Sequence, residues 1–188
     1  LFTGSTGYPY YTTRLYTVGP LVSGCLPVPR DGCKDALAGG KATLQLKDGT
    51  QDQLQFKTTV AEATAKSEFG SPATTTGYRL CVYDDGELLL SASAPAGTGW
   101  SENATGFKFK GGAGDELSQV VLKAGALPGR AKITVKGKGG GLVMPPLGGV
   151  AGPVVAQLVE EEGKACWGAT FAAPFKKNTP AELNARSE

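Results

Sequence analysis

The residues able to carry chemistry are few, and histidine is not among them. Without it, the usual Ser-His-Asp triads, histidine general bases and histidine metal sites are excluded. A pair of carboxylates remains available for glycoside hydrolysis. Asp84, Asp85 and Glu87 lie together, but around Gly86, in a tight turn where Asp and Gly serve backbone conformation. The same turn, or Asp115 with Glu116, offers oxygen ligands to calcium, though without EF-hand or RTX spacing. Apart from that ion no cofactor is expected, and no enzyme activity has a constellation behind it.

Four cysteines stand at positions 25, 33, 81 and 166, none of them in a CxxC pair. Scattered in this way, and with no histidine to help, they read as two disulfides of an exported protein and not as a zinc site. Of the three connectivities, Cys25–Cys33 with Cys81–Cys166 is preferred. The first would close the Pro-rich loop Cys25-Leu-Pro-Val-Pro-Arg-Asp-Gly-Cys33, and the second would join two distant strands.

Trp100 and Trp167 are the two candidates for stacking on a sugar. Trp167, beside Cys166 in an alternating stretch, reads as core. Trp100 follows Pro95 and Gly97 in what reads as a loop, and is the candidate ligand contact. The Gly-rich runs 111–114 and 137–141 lack the GxxxxGK[ST] pattern and read as flexible loops. Lysines in GFKFKGG, ITVKGKG and PFKK fall on outward strand positions. With a net charge of only +2 over the chain, they read as protection of sheet edges and not as a nucleic-acid surface.

The elements that would position these residues are strands. Charged residues are 19% of the 188, Gly and Pro number 28 and 12, and helical periodicity is scarce. Alternating runs appear at Lys41–Lys47, Gln53–Lys57, Tyr78–Asp84, Leu88–Ala94, Gly106–Lys110, Gln119–Ala124, Ala131–Lys136, Val154–Glu160 and Lys164–Ala172. Short helical turns over Ala61–Phe69 would stop at Gly70-Ser71-Pro72. The class is all-β: a β-sandwich of about nine or ten antiparallel strands in residues 25–177, with a polar tail at 178–188 that reads either as a last short strand or as a surface extension. No apolar run reaches membrane-spanning length. The chain opens on Leu1 and not on Met, which reads as a mature, secreted product of signal-peptide cleavage.

Before Cys25 runs an extended arm, residues 1–24, with four tyrosines and the single charge of Arg14. Its middle, Tyr10 to Val18, holds no Gly or Pro and has strand composition. Twenty-four extended residues reach about 80 Å, roughly twice the diameter of the remaining domain. The arm is therefore either the first strand of its own sheet, a strand donated to a neighbour, or a tail held by a ligand or lattice. As a donor it would present Tyr10, Tyr11, Leu15, Tyr16 and Val18.

Four blocks, Tyr78-Arg-Leu-Cys-Val-Tyr-Asp84, Gly106-Phe-Lys-Phe-Lys-Gly-Gly112, Ala131-Lys-Ile-Thr-Val-Lys-Gly137 and Ala165-Cys-Trp-Gly-Ala-Thr-Phe171, resemble a set of uncharacterised secreted bacterial proteins with β-rich extracellular domains. The resemblance spans roughly Cys25 to Lys177 and leaves the arm outside. It implies export and a cysteine framework with Cys81 and Cys166 both in strands, and supplies no catalytic or binding residues. The leading expectation is a subunit of an extracellular, pilus-like homopolymer built by strand donation. The alternative is a secreted carbohydrate-binding or adhesin module that meets glycans or a cell surface, with no nucleic acid as partner in either case.

Overall fold

The computed structural model describes residues 24–162 and 165–188. The candidate donor residues Tyr10, Tyr11, Leu15, Tyr16 and Val18 lie outside the described residues. Strands β1 (Ala42–Lys47) and β2 (Gln53–Thr59) form the first hairpin, and β3 (Tyr78–Asp84) and β4 (Glu87–Ala94) the second. Next come β5 (Trp100–Asn103), β6 (Gly106–Lys110), β7 (Gln119–Lys123) and β8 (Lys132–Lys138). The chain ends with β9 (Val154–Glu160), β10 (Cys166–Phe171), β11 (Lys177–Thr179) and β12 (Glu182–Arg186).

Two antiparallel sheets result, as expected of an all-β sandwich. One has eight strands in the order β11-β12-β1-β2-β8-β7-β6-β5, the other four in the order β10-β9-β3-β4. Alternation sets which side chains go inward. Leu44, Leu46, Phe56, Val120, Leu122, Ile133 and Val135 come from the large sheet. They meet Tyr78, Leu80, Val82, Ala156, Leu158, Trp167 and Phe171 from the small one. The β3–β4 turn explains the acidic cluster. Asp84 pairs with Glu87 across two residues with positive φ, Asp85 at 48° and Gly86 at 85°, the twist a two-residue hairpin needs.

Two elements differ from expectation and a third is decided. Trp100 starts a short strand, because β6 offers it a pairing partner. Of the two readings of the tail the strand one holds, since β12 lies between β1 and β11, with Leu183 and Ala185 fully buried. The helical turns shrink to one 3-10 helix, Lys66–Phe69, which stops at Gly70 with φ 60°.

The disulfides are Cys25–Cys81 and Cys33–Cys166, which corrects the expected pairing. The reason is strand order. Cys81 is on β3 and Cys166 on β10, and β9 runs between them. Strands two apart are separated by about 9–10 Å, beyond the roughly 7 Å limit for bridged Cα atoms. Each strand cysteine instead takes a partner from 25–33, which lies as a strap over the outer face of the small sheet. Gln157 on β9 mimics a ladder residue for the strap. Its side-chain oxygen accepts from the Arg30 N–H (2.9 Å), and its amide donates to the Arg30 carbonyl (2.8 Å). Tyr83 donates to the Leu26 carbonyl at 3.1 Å, and burial pushes its phenol up despite the nearby Arg30 cation. Cys81, Tyr83 and Val159 thus form a second small core under the strap, so β3 is buried on both faces.

Two glutamates tie distant segments together. Glu182 on β12 accepts from Lys177 and Gln45, and these bonds hold its carboxyl below the usual range. For Glu68, burial raises the carboxyl, but bonds from Lys34 and the Ala65 N–H leave it lowered overall. A folded pKa below the unfolded value means stability present above the ordinary glutamate range and lost as pH falls through the folded values. Melting temperature should therefore decline on acidification below that range. Combining Glu68→Gln with Glu182→Gln should flatten the decline, and an unchanged acid slope in the double variant would refute the assignment.

Candidate functional site

An all-β protein with strand donation in view has its site at its free edges, where backbone N–H and C=O groups lack a ladder partner. Among the described residues there are four such edges. The β11 edge is three residues long. The β5 edge is four residues long, and the Lys66 ammonium closes it by donating to the Asn103 carbonyl (2.7 Å) and the Glu102 carboxylate (2.6 Å). On β10, Lys34 forms a parallel bridge: its N–H donates to the Cys166 carbonyl and its carbonyl accepts from the Gly168 N–H, both at 2.9 Å. Beyond that bridge the edge opens into a cleft of about 370 Å³ lined by Asp35, Ala36, Ala169, Thr170 and Glu188.

The fourth edge, β4, is the longest at eight residues. Among the described residues it pairs with β3 alone. Its outward groups are identified at Ser93, whose N–H turns away from β3 and donates to the Glu116 carboxylate at 2.7 Å. The Ser93 hydroxyl donates to the same oxygen at 2.6 Å. By the two-residue alternation of an antiparallel ladder, Ser91 turns its N–H and C=O outward as well. Leu88, 40% exposed, stands at the other end of the strand past a bulge. Glu116 therefore closes one end of this edge and leaves 88–92 open.

The chain enters the described fold at Gly24, next to the Arg79 guanidinium of β3. Arg79 in turn donates to Glu161 (3.1 Å) and to the hydroxyl of Ser91 on β4 (3.3 Å). Gly24 thus lies one strand away from the open edge, a juxtaposition with no signature in the sequence.

Other candidates find different places. Trp100 is 9% exposed, and its ring packs against Tyr78 and Phe109 at centroid distances of 5.5 and 5.2 Å. Its indole N–H donates to the Pro95 carbonyl at 2.9 Å. This corrects its reading as a ligand contact, because both neighbours occupy the surface on which a sugar would stack. In the acidic turn, Asp84 accepts from the Gly152 N–H at 2.7 Å and so anchors the loop before β9. Asp115 accepts from the Gly112 N–H at 2.7 Å. Asp84 thus fastens a loop to a strand, and Asp115 closes the β6–β7 loop on itself. Cys25, Cys33, Cys81 and Cys166 are all spent in disulfides. No helix among the described residues is long and apolar enough to cross a membrane.

Neither a protein-family model, nor a curated protein, nor a solved structure matches this chain.

Proposed function

We propose that this chain is a secreted structural subunit of an extracellular, pilus-like filament, polymerising when residues 10–18 of one copy add as a strand to the β4 edge of the next. The observation that carries the reading is the β4 edge, which among the described residues pairs with β3 alone and is open over residues 88–92. The arm stretch Tyr10–Val18, nine residues of strand composition, is long enough to cover it. Ladder bonds to the outward groups of Leu88 and Ser91 would number about four, each about 1 kcal/mol net. Covering Leu88 adds apolar burial. A donor that leaves one subunit and docks on the next makes a head-to-tail contact that does not close on itself, which is the geometry of a fibre. Two disulfides suit the oxidising setting outside the cell.

Electron microscopy over a concentration series tests this on three proteins: the intact chain, a chain lacking residues 1–24, and Ser91→Pro. Proline removes the outward N–H and leaves the β3 side of the ladder its bonds. The intact chain is expected to form filaments, and both variants to remain folded monomers by circular dichroism. If the intact chain stays monomeric at every concentration, or the shortened chain unfolds without any polymer having formed, the arm serves its own sheet and the proposal fails. Filaments from Ser91→Pro as abundant as those of the intact chain would remove β4 as the acceptor.

A further inference from the structure

Of the lysines expected to guard sheet edges, Lys177 lies on the β11 edge, but those of GFKFKGG and ITVKGKG do not lie on edges. β2, β8, β7 and β6 are interior strands of the eight-stranded sheet. Alternation puts Lys132, Lys136 and Lys138 of β8 on the outer face, with Lys123 of β7, Lys108 and Lys110 of β6, and Lys57 of β2. The other outward positions on these four strands are Gln, Thr, Val and Gly, and none is a carboxylate. Among the described residues, none of these seven lysines makes an ion pair. Lys123 and Lys132 stand directly opposite each other across the ladder. Like charges in that position are destabilising, so the fold tolerates an unfavourable pair there. The net charge of +2 conceals this face, since β2, β8, β7 and β6 carry no outward carboxylate; the large sheet has Glu102 on β5, held by Lys66, and Glu182 on β12, held by Lys47 and Lys177.

One row of the register gives the face its chemistry. Asn184, Gln45, Gln55, Lys136, Gln119 and Lys110 are cross-strand neighbours on six consecutive strands. At about 4.8 Å per strand the row spans about 24 Å. It consists of amides and lysines throughout. Among the described residues only Gln45, next to the row's Asn184 end, has a side-chain bond within the fold, donating to Glu182 at 3.0 Å. Beside the row lies a depression of about 150 Å³ lined by Gln45, Gln53, Gln55, Lys136 and Lys138. Side-chain amides donate to and accept from hydroxyls, while ammonium groups meet carboxylates as point charges.

We infer that this face binds a linear acidic polysaccharide, laid across the strands along the Asn184–Lys110 row. A chain of sugar acids offers what the row lacks, anionic groups for the lysines and hydroxyls for the amides between them. The face fits a nucleic acid poorly. Its aromatic residues on β6, Phe107 and Phe109, point inward, leaving no ring for a base to stack on. None of the four strands carries an outward arginine for bidentate recognition of a base or phosphate. The inference is independent of strand donation, because the face belongs to the large sheet and β4 to the small one, and a monomer suffices.

Calorimetric titration of the intact protein with oligogalacturonate at low ionic strength tests it, with neutral dextran and duplex DNA as the other ligands. Oligogalacturonate is expected to bind, dextran not to bind, and DNA to bind more weakly. Lys110→Gln with Lys136→Gln should weaken oligogalacturonate binding tenfold or more and reduce its salt slope by about one per lysine. The charge-matched control, Arg30→Gln with Lys34→Gln, lies in the segment against the small sheet and should change binding less than twofold. Equal losses in the two double variants, no binding to oligogalacturonate, or DNA binding as tight as that of the oligosaccharide would each overturn the inference.

Discussion

Replacing Cys33 and Cys166 together by alanine should lower the unfolding free energy by up to about 5 kcal/mol, and replacing Cys25 with Cys81 by up to about 4. The loops closed are 133 and 56 residues long, and chain entropy grows with the logarithm of loop length. The two loops interlock, so the losses should not simply add. Beyond the unfolded state, each bridge also holds one end of the strap over Cys81, Tyr83 and Val159, and freeing an end lets water reach that small core. Guanidinium denaturation of both double variants beside the parent measures the losses. A tryptic digest without reductant checks the pairing directly, since cleavage after Arg30 separates the Cys25 peptide from the Cys33 peptide. The Cys25 peptide should then run with the Cys81 peptide. A digest in which the two strap peptides stay joined to each other would restore the local pairing and sink this account.

That pairing shows where the sequence is legible and where it stops. Period-two alternation marks β1, β2, β6 and β8 because each buries one face and leaves the other polar, a property of neighbouring residues alone. β5 carries no such signal: Trp100-Ser-Glu-Asn has one apolar residue, and its strand state comes from pairing with β6. β12 hides in the same way, because Leu183 and Ala185 are its only apolar residues and pairing with β1 supplies the rest. Disulfide connectivity depends on the insertion of β9 between β3 and β10, a fact of strand order that no local pattern encodes.

Charge follows the same rule. Each lysine of β2, β6, β7 and β8 is visible as an outward residue, but their meaning depends on the register between strands. A chain average of +2 describes neither the lysine face nor the carboxylate-bearing loops. The β4 edge is likewise invisible locally, since Glu87–Ala94 reads as an ordinary strand. What makes it an edge is that β3 turns its other side to β9, and what shortens it is Glu116, twenty-three residues further along the chain from Ser93.

Trp100→Ala should cost about 3–5 kcal/mol of stability, the range for emptying a buried aromatic site. An exposed sugar-stacking tryptophan would lose no more than about 0.5 kcal/mol on the same change, so the size of the effect decides between the two roles. The structural reason is that Trp100 couples the sheets. It begins β5 in the large sheet and packs on Tyr78 of β3 in the small one, and Tyr78 passes the contact to Trp167 at 6.4 Å and on to Phe69, whose carbonyl accepts from its hydroxyl at 2.8 Å. Burial first, and then the Glu160 charge, push the Tyr78 phenol far up, so this bond persists across the accessible pH range. Removing Trp100 also leaves the Pro95 carbonyl without its donor. Because the rings touch, Trp100→Ala and Tyr78→Phe should be non-additive in a double-mutant cycle if loss of Trp100 loosens the hydroxyl that Tyr78 presents to Phe69. Urea melts of the two single variants and the double variant supply both numbers. A loss below about 1 kcal/mol for Trp100→Ala would mean that the indole is not packed between the sheets, and would return Trp100 to the surface as a candidate ligand contact.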